Sequence, residues 1–153
     1  MLLEAGSTAP DFTLPNQNDE MVSLSSLKGK KVVLWFYPKA NTPGWTIQGK
    51  GFRDEFKQFE NENIVILGVS ADPVSKQKKF CDKQGFPYDL LSDESHAMLE
   101  NYGVWGKKKF MGREYMGISR ITYIINEDGK IEHVIEKVKT MSHAQDLISL
   151  MKL

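Results

Sequence analysis

Residues 32–36 read Val-Val-Leu-Trp-Phe without a polar break, with Gly29 behind them and Pro38 ahead. A strand with one wet face would alternate apolar and polar side chains. An unbroken apolar run of this length predicts a central strand covered on both faces. Such a strand requires partner strands beside it and packed layers above and below. Two further apolar runs, 64–69 and 121–125, supply candidate partners. Residues 126–130 contain Asp128-Gly129 and predict a hairpin turn into a strand over 131–135.

Between these runs the spacing is helical. Phe52, Phe56 and Phe59 fall on one helix face with charges between them. Pro73 is suited to open a helix as its first residue, with Asp72 as cap, running to about Lys83. Residues 142–150 form an amphipathic closing helix. Strand, helix, strand is a βαβ unit and requires a parallel pair, while the hairpin adds antiparallel pairing. The expectation is an α/β fold with a mixed central sheet flanked by helices, as one domain over 1–153.

Several function classes find no support. Lysine plus arginine equals aspartate plus glutamate, so the formal net charge is zero. That gives no reason to expect nucleic acid or an anionic membrane as partner. Lys107-Lys108-Lys109 is the one basic cluster and reads as a solvated loop, too small for a polybasic anchor. The start, Met-Leu-Leu-Glu-Ala-Gly-Ser, lacks the basic and apolar regions of a signal peptide, and no stretch has the length of a membrane span. One cysteine, Cys81, cannot form an internal disulfide. A cytoplasmic location is the default expectation. His96, His133 and His143 lack metal-ligand spacing and are expected at the surface or in caps, so no metal is expected. Asp93-Glu94 is expected to cap a helix starting at Ser95. The glycines form no nucleotide fingerprint, so no nucleotide cofactor is expected.

The informative stretch is Tyr37-Pro38-Lys39-Ala40-Asn41-Thr42-Pro43-Gly44-Trp45-Thr46. Pro38, three residues, Thr42, two residues and then position 45 resembles the active-site pattern of the peroxiredoxins. Residues 9–14 (Ala-Pro-Asp-Phe-Thr-Leu) are similar to that family's opening segment. Residues 102–106 (Tyr-Gly-Val-Trp-Gly) and 115–120 (Tyr-Met-Gly-Ile-Ser-Arg) resemble its later ones. Several motifs in the right order, from about residue 6 to about residue 150, identify the chain as resembling the peroxiredoxin Q, or bacterioferritin comigratory protein, family.

That resemblance implies a thioredoxin-like fold and a thiol peroxidase acting on hydrogen peroxide and organic hydroperoxides, with thioredoxin as reductant. The family's peroxidatic cysteine falls at position 45. A thiol there would gain from the free N–H groups of a first helical turn, which lower its pKa. Arg120 matches the active-site arginine, Thr42 would hold the peroxide O–H, and Pro38 would wall the site from water. Cys81, thirty-six residues after position 45, matches the resolving cysteine of one branch. Lys50 excludes the disulfide of the other branch, and Gln48 stands where many relatives carry Glu. Two sulfurs on separate helices would meet only after local unfolding. Members of this branch are often monomeric.

Position 45, however, is Trp45. Indole cannot attack a peroxide and cycle through a sulfenic acid. The chain as it stands is therefore expected to lack peroxidase turnover. Either Trp45 is an introduced substitution in an active enzyme, or the protein is a natural non-catalytic interaction protein on the same fold. Retention of Pro38, Thr42, Arg120 and Cys81 favours the first. Cys81 also admits a plain reading as a half-buried core thiol.

Overall fold

A computed structural model describes residues 2–38, 43–136, 138–139 and 141–152, with Pro43, Gly44, Trp45 and Phe110 described in their backbone only. The central sheet has the strand order β5-β4-β3-β8-β9. Its strands are β3 (Lys31–Phe36), β4 (Ile64–Ser70), β5 (Asp89–Ser92), β8 (Thr122–Ile125) and β9 (Ile131–Ile135). The expected central run is β3, and Val33, Leu34 and Trp35 have no exposed surface. β3 pairs parallel with β4, Val33 opposite Ile66, and antiparallel with β8, Val33 opposite Ile124. β4 pairs parallel with β5, and β8 with β9 antiparallel. The sheet is therefore mixed, as the alternation of runs, helices and hairpin predicts.

Side chains leave a strand alternately up and down, so β3 feeds two separate cores. Val33, Trp35 and Tyr37 pack beneath helices α1 (Pro43–Asp54), α2 (Phe56–Asn61), α3 (Val74–Gln84) and α5 (His143–Met151), through Phe52, Phe59, Phe80 and Leu147. Val32, Leu34 and Phe36 face the opposite way, toward Phe12, Leu24, Leu99, Tyr102 and Val104. That second cover comes from a short hairpin, β1 (Thr13–Pro15) with β2 (Met21–Ser23), and from α4 (Ala97–Asn101).

Four local expectations need correction. The phenylalanine stripe is not one helix: it breaks at Glu55, between α1 and α2, while keeping Phe52 and Phe59 buried. Pro73 is the cap of α3 rather than its first residue, and the Asp72 carboxylate accepts from the Ser70 hydroxyl (2.7 Å). Lys107-Lys108-Lys109 is strand, not loop. It lies in β6 (Trp105–Phe110), paired with β7 (Arg113–Ile118) in a hairpin outside the main sheet. His143 opens α5 but is buried, its Nε2 2.9 Å from the Thr122 hydroxyl and its ring edge-on to Phe52. Asp93 does cap, accepting from the Leu99 amide (2.9 Å), although α4 begins at Ala97.

Candidate functional site

The site sits where β3 runs out. Tyr37 continues the ladder by one bond, its amide donating to the Val69 carbonyl (3.1 Å), and Pro38 then has no N–H to continue it. The chain re-enters regular structure as α1 at Pro43, a residue suited to the first helical position because its missing N–H would be unpaired there anyway. Position 45 lies in the first turn of α1, among N–H groups that point out of the helix end. The Trp45 side chain and the whole of Thr42 lie outside the described residues.

Arg120 reaches the same place from β7. The Phe36 amide donates to the Ile121 carbonyl (3.2 Å), and the Ile121 amide donates to the Ser119 carbonyl (2.9 Å). This bend ties residues 119–121 to the end of β3. Arg120 and Pro38 consequently share one cavity of about 710 Å³, which Lys108, Tyr115 and Glu136 also line. Lys108 and Tyr115 face each other across the hairpin register. The Tyr115 ring lies over Gly117, where an added Cβ would stand 3.0 Å from it. The sequence points to Pro38 and Arg120 as site residues but to neither Lys108 nor Tyr115 in that role. The Gly117 position beneath an aromatic ring is a signal only once the strand pairing is known.

Cys81 is elsewhere. It is buried in the helical core on the last turns of α3, and its Sγ donates to the Phe86 carbonyl (3.3 Å). Burial is the main cause that raises its pKa, with Asp82 and Asp89 adding to it. The environment is that of a quiet thiol. One turn earlier on the same face, Gln77 is also buried; its Nε2 donates to the Ser70 hydroxyl (2.9 Å) and the Leu91 carbonyl (2.7 Å), and its Oε1 accepts from the Tyr37 hydroxyl. These bonds pin α3 to β4 and β5.

α1 and the Cys81 pocket are nonetheless in physical contact. Phe86 stacks on Tyr88 (5.2 Å) and meets Phe80 edge-on (5.0 Å). Its ring tip presses on α1 so closely that a Cβ at Gly49 would fall 2.5 Å from it. Tyr88 donates to the Gly49 carbonyl (2.9 Å). The helix carrying position 45 thus rests on the residue whose carbonyl holds the thiol. Among the described residues no group of three His, Cys, Asp or Glu side chains could hold a metal, and no helix is long and apolar enough to cross a membrane.

A mixed sheet with this order, a central strand followed after Pro38 by a helix, and an arginine that shares a cavity with that proline mark a thioredoxin-like peroxiredoxin. The comparisons agree. The AhpC/TSA family model matches residues 5–134. Peroxiredoxin Bcp of Escherichia coli strain K12 is 44% identical over 150 residues, covering 98% of this chain and 96% of its own length. Peroxiredoxin Bcp of Bacillus subtilis strain 168 is 41% identical over 152 residues, 99% and 97% of the two chains. Among solved structures, the Xanthomonas campestris bacterioferritin comigratory protein superposes with a TM-score of 0.90 at 31% identity, over 97% of this chain and 98% of its own. Peroxidoxin BcpB of Mycobacterium tuberculosis gives 0.86 at 36% identity, over 98% and 97%. The chain belongs to the AhpC/TSA family, in its Bcp or peroxiredoxin Q group.

Proposed function

We propose that this chain is a thiol peroxidase of the peroxiredoxin Q type held in a form that cannot turn over, with Trp45 in place of the peroxidatic cysteine. The observation that carries the reading is the convergence of Pro38 and Arg120 on one cavity beside the strand end that leads into the first turn of α1. The Xanthomonas campestris relative has alkyl peroxide reduction activity. For this scaffold the substrates are hydrogen peroxide and organic hydroperoxides.

With cysteine at position 45, the thiolate attacks one peroxide oxygen. The S–O bond forms as the O–O bond breaks, and the other oxygen leaves as hydroxide or alkoxide and takes a proton. Thr42 orients the peroxide, Arg120 stabilises the thiolate and the developing negative charge, and Pro38 keeps water out. Cys81 then attacks the sulfenic sulfur, water leaves, and an intramolecular disulfide remains for thioredoxin to reduce. Burial of Cys81 requires α1 and the last turns of α3 to open first. The contact of Gly49 with Phe86 couples the two openings. No metal or organic cofactor enters the scheme. A monomer in the cytoplasm is sufficient for it.

The test is thioredoxin-coupled peroxide consumption by this chain and by Trp45→Cys, side by side. Turnover by the cysteine form alone supports the reading. Turnover by neither favours a non-catalytic interaction protein on the same fold, and turnover by the Trp45 chain refutes the proposal.

A further inference from the structure

The β6–β7 hairpin has a composition that its peroxidase role does not use. Its two-residue turn is Met111-Gly112, and both residues have positive φ (53° and 78°). Turns of this kind favour Asn-Gly, and a side chain bearing a Cβ is strained at the first position. A large apolar residue nevertheless occupies it and is 87% exposed. Met116 and Tyr115, farther down the hairpin, are each about half exposed. Around this tip stand Lys107, Lys108, Lys109 and, across the turn, Arg113. The only carboxylate in the hairpin is Glu114, which pairs with Lys109 (3.8 Å). Four cations against one carboxylate lie within eight residues of a chain whose net charge is zero. The rest of the molecule is correspondingly acidic, and the charge asymmetry orients the hairpin toward a negative surface.

We propose that the tip of the β6–β7 hairpin docks reversibly on an anionic phospholipid bilayer, Met111 entering the acyl boundary and the lysines and Arg113 engaging headgroup phosphates. Counting along the sequence finds three basic residues in a row. Strand pairing adds Arg113 as a fourth and sets the apolar peg between them, which supplies the two weak signals that reversible membrane binding needs. The cations point to both faces of the hairpin: Lys107 and Lys109 share a face with Met116, while Lys108 shares the other with Tyr115. This suits tip-first entry rather than a face laid flat against a protein. Lys108 and Tyr115 also line the cavity of Pro38 and Arg120, so docking brings that cavity to the membrane surface. Docking itself does not depend on the peroxidase reading, because it is read without turnover.

The test is co-sedimentation of the full chain with unilamellar vesicles of equal parts phosphatidylglycerol and phosphatidylcholine, against phosphatidylcholine alone, at low and at physiological salt. The chain is expected to pellet with the anionic vesicles only, and less so as salt rises. Met111→Ser, and separately Lys107, Lys108 and Lys109 all changed to Glu, are each expected to lower the partition at least about tenfold. Unchanged thermal midpoints of both variants confirm that their folds persist. Failure of the unaltered chain to pellet with anionic vesicles overturns the proposal. So does a partition indifferent to both variants, a loss confined to the charge reversal, or capture of an acidic protein by the hairpin without any vesicle binding.

Discussion

Two buried titratable side chains give the clearest consequences at the scale of single residues. Cys81, buried and bonded to the Phe86 carbonyl, has its pKa raised, chiefly by burial. Little of it is thiolate at neutral pH. Labelling by Ellman's reagent at pH 7.5 is expected to be at least about tenfold slower in the native chain than in denaturant. Equal rates would remove the buried thiol from the account. His143 is the opposite case. Burial lowers its pKa to about 4, against a reference near 6.5. The unfolded chain binds a proton between these two values and the folded chain does not. The stability contributed is therefore full above about pH 6.5 and is lost as pH falls toward 4. The expected loss is of order 2–3 kcal/mol. The unfolding free energy from urea titrations should decline over that window. His143→Gln should flatten the decline, and an unchanged slope would place the effect elsewhere.

At the scale of elements, glycine marks where a side chain from a neighbouring segment leaves no room for a Cβ. A Cβ at Gly68 on β4 would stand 2.8 Å from Leu90 and 3.0 Å from both Trp35 and Tyr37. Gly68→Ala is expected to cost about 1–3 kcal/mol by overpacking, seen as a lowered denaturation midpoint with an unchanged slope. Gly49→Ala pushes α1 off Phe86, and its effect belongs to the coupling between position 45 and Cys81. It should speed Cys81 labelling more than the global loss of stability explains. These close approaches were not legible in the sequence, because a glycine inside a helix or strand pattern looks the same whether or not an aromatic ring sits over it. The apolar runs at 32–36, 64–69 and 121–125 were legible, because their short length, β-branched and aromatic content and flanking turn residues favour a buried strand over a helix. The strands of β6–β7 were not. Their lysines and glycines carry no apolar alternation, and pairing with each other, outside the main sheet, imposes none. The break at Glu55 was hidden for a related reason, since α1 and α2 both bury the same phenylalanine face.

At the scale of the whole molecule, the two sulfur positions of the scheme belong to helices on the same face of the sheet but stand in different surroundings. Position 45 lies in the first turn of α1, and Pro38 and Arg120 line one cavity, while Cys81 is sealed in the helical core. Pro38 and Arg120 were named from the resemblance to the peroxiredoxin family, and the bend at 119–121 ties the Arg120 segment to the strand end before Pro38. The relation of Cys81 to α1 through Phe86 and Tyr88 appeared only with the fold, since both side chains come from the connection between α3 and β5, which no motif covers. The account therefore requires a cycle in which chemistry at one place loosens packing at another.

Its most direct test is a single turnover without reductant. Trp45→Cys is mixed with one equivalent of hydrogen peroxide, and the products are mapped by intact mass and peptide analysis. The account predicts loss of two hydrogens and a disulfide between position 45 and Cys81, with Trp45→Cys/Cys81→Ser stopping at the sulfenic acid. A Trp45→Cys protein that stays folded yet leaves both thiols reduced would contradict it.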